Sequence, residues 1–441
     1  MSLTSTDPQF LTYNYAGGPY GSNIPSAQKI TTGFDLVGVI DSAFAPSYLL
    51  RWSFNQSWPG HSVITDADHI AHGTAVASII TGAPGILFGQ AGIAPNASLD
   101  LYAMSQDPDA TTLFKDAAYG INTLVANGAV AINNSWASTA YAGGGSQILL
   151  VSGYDSALSN AISQGRKGKG SIIIFAAGNS KNDIDPVGKT NSLVPFDQLS
   201  IEPYKSDPRI IEVAASTQGG LVAPFSTPGS SLLVAAIGVA VPAAIYDPGI
   251  KNYIWDYPNS GTSVAAPQVS AIVDLMCTVA PFLTWLDVQS ILAMSCYAPT
   301  PSAGNFTYNK AVNWNGGGMH FSDDLGFGVV DANVAVNLAM AWTPGNNISS
   351  GTPFSNGGSF TVPSEAPGTT NGQYVSGISG DGCVTHVTVR IKDSGLLAAY
   401  SEVILISPNN TRSILSDRAG FDPMSGASGF DCTLGLDLEP A

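Results

Sequence analysis

One serine, Ser263, lies in the stretch GTSVAAP at residues 261–267, among the smallest side chains available, with Pro267 four residues further on. Two readings compete. Small residues ahead of an apolar run can mark a tight loop feeding a buried helix, where a proline is tolerated in the first turn. Alternatively, they keep a hydroxyl at a helix N-terminus clear of bulk, so that a carbonyl can approach it. A serine hydroxyl is a weak nucleophile alone. The second reading therefore needs a base, a carboxylate to orient that base, and a donor for the oxygen that becomes negative. The chain holds all three. Asp41 directly follows the apolar run LVGVI, Asn179 follows IIIFAAG, and His72 reads as opening a helix in AHGTAVAS, beside Gly73, which permits close approach. In this arrangement His72 takes the proton of Ser263, and Asp41 fixes the tautomer. Asn179 and the backbone N–H of Ser263 hold the oxyanion. Activity would then rise around the ordinary histidine pKa of about 6.5.

Each piece has an ordinary explanation alone. An aspartate after a strand is often a cap or turn residue, a His-Gly pair can be structural, and an asparagine after Ala-Gly commonly makes a turn. His61 and His69 also compete for the base, but neither has the Gly-Thr context with an apolar helix behind it. Four such pieces in one chain, each at a strand end or helix start, form a far more specific signal than any of them separately.

The elements that must carry these residues are legible as alternating patterns. Continuous apolar runs in FDLVGVIDS, SLDLYAM, AVAINNSW, SIIIFAAGN, RIIEVAAS and SLLVAAIG read as buried strands. Between and after them, HGTAVASIITG, TTLFKDAAYGINTLVANG, ILLVSGYDSALSNAISQG, SVAAPQVSAIVDLMCTVA and LTWLDVQSILAMSCY read as helices. Strands alternating with helices predict an α/β fold: a parallel sheet with helices on both faces, whose sites gather beyond the carboxyl ends of the strands. The pattern changes after residue 343. Residues 344–370 are rich in Gly, Ser, Asn, Pro and Thr, and read as a linker or domain edge. Residues 371–441 carry alternating runs such as VTHVTVRIK and SEVILISP, which read as a small all-β module.

Composition narrows the function classes. The 441 residues permit a large core and more than one domain, and the net charge of −16 argues against nucleic-acid or polybasic membrane contacts. Only 11% of residues are charged while 48 are glycine, a balance that leans towards a secreted or periplasmic protein. The start MSLTSTDPQF shows neither the basic opening nor the apolar core of a signal peptide, and no apolar run of transmembrane length is apparent. Four cysteines, Cys277, Cys296, Cys383 and Cys432, lie in no C-x-x-C pattern, which argues against zinc. Cys277 and Cys296 are open between buried thiols and a bridge. A Cys383–Cys432 disulfide is compatible with their shared segment.

With these segments in hand, the chain resembles the subtilisin-like serine proteases. VGVIDS, HGTAVASII, GIAPNASL, INNSWA, AAGN and GTSVAAP carry the likeness over residues 34–275. The resemblance implies the subtilisin fold and endopeptidase activity through an acyl-enzyme. It implies a triad of Asp41, His72 and Ser263, with Asn179 as oxyanion donor. Ser135, Trp136 and Ala137 would form the strand against which a polypeptide substrate lies. A narrower likeness, in DPQF, GRKGKGSIIIFAAGN and GFGVVDANVAV, is to the kexin and furin branch and its bacterial relatives. In that branch a jelly-roll P domain follows the protease. Residues 371–441 resemble about half of such a domain, which implies a module either shortened or incomplete in this sequence.

The departures from that branch bear on specificity and metal binding. IDSAF stands where the branch has Asp-Asp-Gly, and SWASTAY replaces an acidic run. No acidic cluster occupies the matching positions, which speaks against a calcium requirement, and the chemistry itself needs no cofactor or metal. Counting back from RIIEVAAS, Glu202 falls where the family places the base of the S1 pocket, and an acid there implies preference for a basic P1 residue. An ordinary loop glutamate is the competing reading. Two other function classes compete with this one. A catalytically inert binding protein on this fold is disfavoured by the complete set of reactive residues. An α/β-hydrolase would need G-x-S-x-G and the order Ser, Asp, His, whereas here the serine comes last.

Overall fold

The computed structural model describes residues 18–45, 50–62, 64–82, 92–105, 110–137, 152–181, 204–247, 249–250, 252–300, 304–310 and 318–343, together with four strands between 386 and 437. The strands in chain order are β1 (Leu36–Asp41), β2 (Trp52–Ser57), β3 (Ser98–Ala103), β4 (Ala131–Asn134), β5 (Ile172–Ala176), β6 (Ile210–Ser216) and β7 (Leu232–Ile237). They continue with β8 (Val241–Asp247), β9 (Asn252–Asn259), β10 (Cys296–Tyr297), β11 (Thr307–Tyr308), β12 (His320–Phe321) and β13 (Val329–Val330). The helices are α1 (Ile24–Ala27), α2 (Ala67–Thr81), α3 (Ala110–Ala126), α4 (Tyr154–Gly168), α5 (Thr262–Val279), α6 (Trp285–Met294) and α7 (Ala332–Ala341).

Nine strands form one sheet in the order β10-β13-β7-β6-β5-β4-β1-β3-β2. Every pairing in it is parallel except the antiparallel edge pair β10–β13. The expected all-parallel sheet is thus a mixed one. The strand period of two divides the core between two layers. In β5, Ile172 and Ile174 join α2, α5, α6 and α7, whereas Ile173 and Phe175 join α3 and α4. Both faces are therefore covered, which is why these strands read as unbroken apolar runs.

Several boundaries differ from the sequence expectation. Helix α2 starts at Ala67, not at His72, because Asp66 caps it by accepting from the His69 N–H at 3.1 Å. The segment expected to be helical through Tyr297 ends at Met294, and Cys296–Tyr297 turns into β10. Strand β2 and the β8–β9 hairpin were not anticipated, since their polar and aromatic residues show neither apolar continuity nor clear alternation. Helix α5 is, by length and composition alone, long and apolar enough to cross a membrane, and 83% of it is buried inside the molecule as a core helix.

Towards the C-terminus, β14 (His386–Asp393) pairs antiparallel with β17 (Phe430–Asp437), and β15 (Glu402–Ile406) with β16 (Arg412–Asp417). Residues 344–370 and Cys383 lie outside the described residues. Cys277 and Cys296 are free thiols.

Candidate active site

Asp41 is the last residue of β1 and is fully buried. Its Oδ1 accepts from the Ser42 N–H at 2.7 Å and lies 2.9 Å from His72 Nδ1. Its Oδ2 has no partner among the described residues. His72 stands in the second turn of α2, and the sequence around it explains how the ring reaches the strand end. A Cβ on Gly73 would lie 2.0 Å from the Ala43 carbonyl oxygen, so only glycine lets the helix rest on the loop that follows Asp41. Thr74 Oγ1 donates to the Ile70 carbonyl and accepts from the Ala45 N–H at 3.0 Å, fixing the same loop to the helix. The His72 side chain remains 38% exposed while the aspartate is buried. The charge of Asp41 raises the His72 pKa above its ordinary value; burial opposes the rise and the hydrogen bond to Asp41 reinforces it.

Ser263 is the second residue of α5. Its Oγ donates to the Ser135 carbonyl at 3.3 Å and forms no hydrogen bond to His72 in this structure. Pro267 stands in the second turn of α5, not the first. It lacks the N–H that a helix would send back four residues, so the Ser263 carbonyl loses its helical donor. Ser135 Oγ supplies the replacement at 3.0 Å, and Asn133 Nδ2 in turn donates to Ser135 Oγ at 2.9 Å. The proline in GTSVAAP thus frees an acceptor that ties the start of α5 to the end of β4.

Asn179 follows β5 and is exposed. Its Oδ1 accepts from the Thr262 N–H at 2.9 Å and from Thr262 Oγ1 at 3.1 Å, which leaves the Nδ2 hydrogens to point outward. A Cβ on Gly261 would lie 3.3 Å from Asn179 Nδ2 and 3.7 Å from Ser263 N, so both donors border one glycine-lined space. The N-cap Gly261 offers no side chain to the first turn, and Asn179 does so from across the cleft.

The remaining expected residues separate. Ser135 is buried and works on Ser263 as described. The Trp136 ring is a core anchor, stacked on Tyr204 at 5.8 Å and edge-on to Phe175 at 5.2 Å, with Nε1 donating to Asn134 Oδ1. Of this segment only Ala137 is exposed. Glu202 lies outside the described residues. Among the described residues no three His, Cys, Asp or Glu side chains gather as a metal site would require. Thr262 was missed from sequence, although it was visible as a hydroxyl beside Ser263.

Residues 30–328 match the sequence profile of the subtilase family (Peptidase_S8). A dibasic-processing endoprotease of Schizosaccharomyces pombe is 28% identical over 280 residues, covering 61% of this chain but only 37% of the relative. The crystal structure of a serine protease of Aeromonas sobria superposes with a TM-score of 0.68 at 22% identity, over 95% of this chain and 81% of that one. MycP1 from Mycobacterium smegmatis gives 0.56 at 23% identity, over 80% and 89%. The chain belongs to the subtilase family, is similar in sequence to kexin and furin-like proteases, and shares its fold with the bacterial proteases above.

Proposed function

We propose that the chain is a serine endopeptidase acting through Asp41, His72 and Ser263. The observation that carries this reading is the 2.9 Å contact of His72 with a buried carboxylate, on the same sheet rim as a serine at an open helix N-terminus. In this reading the Ser263 hydroxyl leaves the Ser135 carbonyl for Nε2 of His72, the ring nitrogen that Asp41 does not engage. There the imidazole accepts the proton as Ser263 Oγ attacks the scissile carbonyl. Asn179 Nδ2 and the Ser263 N–H receive the oxyanion. The protonated His72, held by Asp41, then gives its proton to the leaving amine, and water repeats the sequence to release the acyl group. The backbone at residues 135–137 offers an edge for an extended polypeptide.

Glu202 is proposed as an acid at the base of S1, favouring Arg or Lys at P1. Its place in the sequence supports this, as does the likeness to a relative named for dibasic processing. Residues 371–441 are read as a P-domain-like module after the 1–343 peptidase domain, and the charge-poor composition suits a secreted or periplasmic site of action.

A peptide library incubated with purified protein tests the reading. Wild type is expected to cleave, and to cleave mainly after Arg and Lys. Ser263→Ala should lose both turnover and fluorophosphonate labelling with its fold intact, and Glu202→Ala should lose about 30-fold or more on basic P1 residues. Undiminished turnover by Ser263→Ala would refute the serine assignment. A folded wild type that neither labels nor cleaves would instead favour an inert binding protein.

A further inference from the structure

Lys205 is only 1% exposed, an unusual state for a lysine, and it lies directly behind the loop that presents Asn179. Its Nζ donates to the Ala177 carbonyl at 3.2 Å and stands 5.3 Å from the centre of the Tyr204 ring. It also lies 3.6 Å from where a Cβ on Gly178 would be, on the inner side of that loop. From Ala177 a continuous set of donors runs forward. The carbonyl of Ala177 and the N–H of Gly178 belong to one peptide group. That N–H donates to Thr262 Oγ1 at 2.9 Å, and Thr262 Oγ1 donates to Asn179 Oδ1 at 3.1 Å. The other end of the same side-chain amide is the free Nδ2. Every link points the same way, from Lys205 towards the place where Asn179 meets solvent.

We propose that Lys205 is a positioning residue for the oxyanion donor, acting through Ala177–Gly178 and Thr262 to orient and polarise the Asn179 amide. The inference rests on the proposed oxyanion role of Asn179. The physical ground is that hydrogen bonds in a chain polarise one another when all run in one direction in a low-dielectric interior. A donor on the Ala177 carbonyl draws electron density from the Gly178 N–H, which makes it a stronger donor to Thr262. The Thr262 hydroxyl then pulls harder on Asn179 Oδ1, and Nδ2–H becomes more acidic. The same chain holds the amide in one flip state, because Oδ1 meets only donors. The effect matters where negative charge develops on the substrate oxygen, not in ground-state binding, so it belongs to kcat.

The test is a double-mutant cycle on steady-state peptide hydrolysis, combining Lys205→Met with Asn179→Ala. Lys205→Met alone is expected to lower kcat about two- to fivefold with KM nearly unchanged, while Asn179→Ala lowers kcat roughly 10²- to 10³-fold. In the Asn179→Ala background Lys205→Met should then have no further effect, since the donor it serves is gone. A packing role would instead lower both backgrounds equally. Equal losses, or an unchanged kcat in Lys205→Met, would overturn the inference. If Lys205→Met does not fold, Lys205→Leu, which also lacks a donor, replaces it in the same cycle and is read the same way. An inactive, unlabelled wild type would overturn the peptidase reading along with this one, whereas an active wild type with additive losses would overturn only the role of Lys205.

Discussion

Asp41 and His72 show how little separates an ordinary histidine from a tuned base. The sequence places the imidazole near its usual titration range. The geometry moves it upward, because the charge of Asp41 outweighs the cost of burying an imidazolium. A base must be neutral to accept a proton, so kcat/KM should rise with pH with a midpoint above 6.5 in wild type. Asp41→Asn removes the charge that raises the pKa and leaves the burial that lowers it. Its midpoint should therefore fall below that of wild type, and kcat should drop by about 10⁴ as the tautomer is lost. Parallel pH–rate profiles of the two proteins read this directly. Coincident midpoints would mean that the limb belongs to another group.

Helix α2 meets the loop after β1 at a single point where no side chain fits. The Gly73 position lies against backbone, the Ala43 carbonyl, which cannot rotate away as a side chain would. The hairpin adds a third tether to the same loop: Tyr253, on β9, donates to the Ala45 carbonyl at 2.6 Å, while Thr74 receives the Ala45 N–H. Gly73→Ala should push α2 off this loop and part His72 from Asp41. The expected result is a fall of about 100-fold in kcat, the usual consequence of a displacement near 1 Å in a reacting group. The hydrophobic contacts of α2 should still keep the displaced helix folded against the sheet, so the far-ultraviolet circular dichroism should match wild type. Full activity in Gly73→Ala would show that the loop yields without cost.

Helix α5 links Ser263, the proposed nucleophile, to the interior of the molecule. Asp274, on its buried length, accepts from the Asp35 N–H at 3.1 Å, and Thr278 Oγ1 donates to Asp35 Oδ2. Burial, and secondly the charge of Asp35, push the Asp274 pKa up to about 8. The sign follows from proton binding. Between the ordinary aspartate range near 3.8 and about 8, the native state holds a proton that the unfolded chain has released. Raising the pH through that window therefore lowers stability, and the contribution is gone above about 8. One proton gives a slope of at most about 1.4 kcal/mol per pH unit. Asp274→Asn mimics the neutral form, so denaturant-melting curves from pH 5 to 8 should show a shallower decline than wild type. Equal slopes would indicate that Asp274 is ionised in the native protein.

Most of the sheet could be read from the chain, and the candidate site residues picked out, because their signals are local. Apolar runs mark strands buried on both faces, and polar residues directly after them fall on one rim. Glycine beside His72 and Ser263 announces close approach. Other features depend on groups distant in sequence. His72 was expected at a helix start, yet Asp66 caps the helix earlier, and a boundary set by one capping carboxylate is easily displaced. Trp136 belonged to a motif, but three aromatic rings, Phe114, Phe175 and Tyr204, decide that its side chain packs inward. Pro267 could be seen in the sequence, while its consequence, a Ser263 carbonyl claimed by Ser135, needs β4 and α5 to meet. The burial of Lys205 has no sequence signature at all. Periodicity reports which face of an element is apolar, but hydrogen bonds between elements arise only when the packed core brings their ends together.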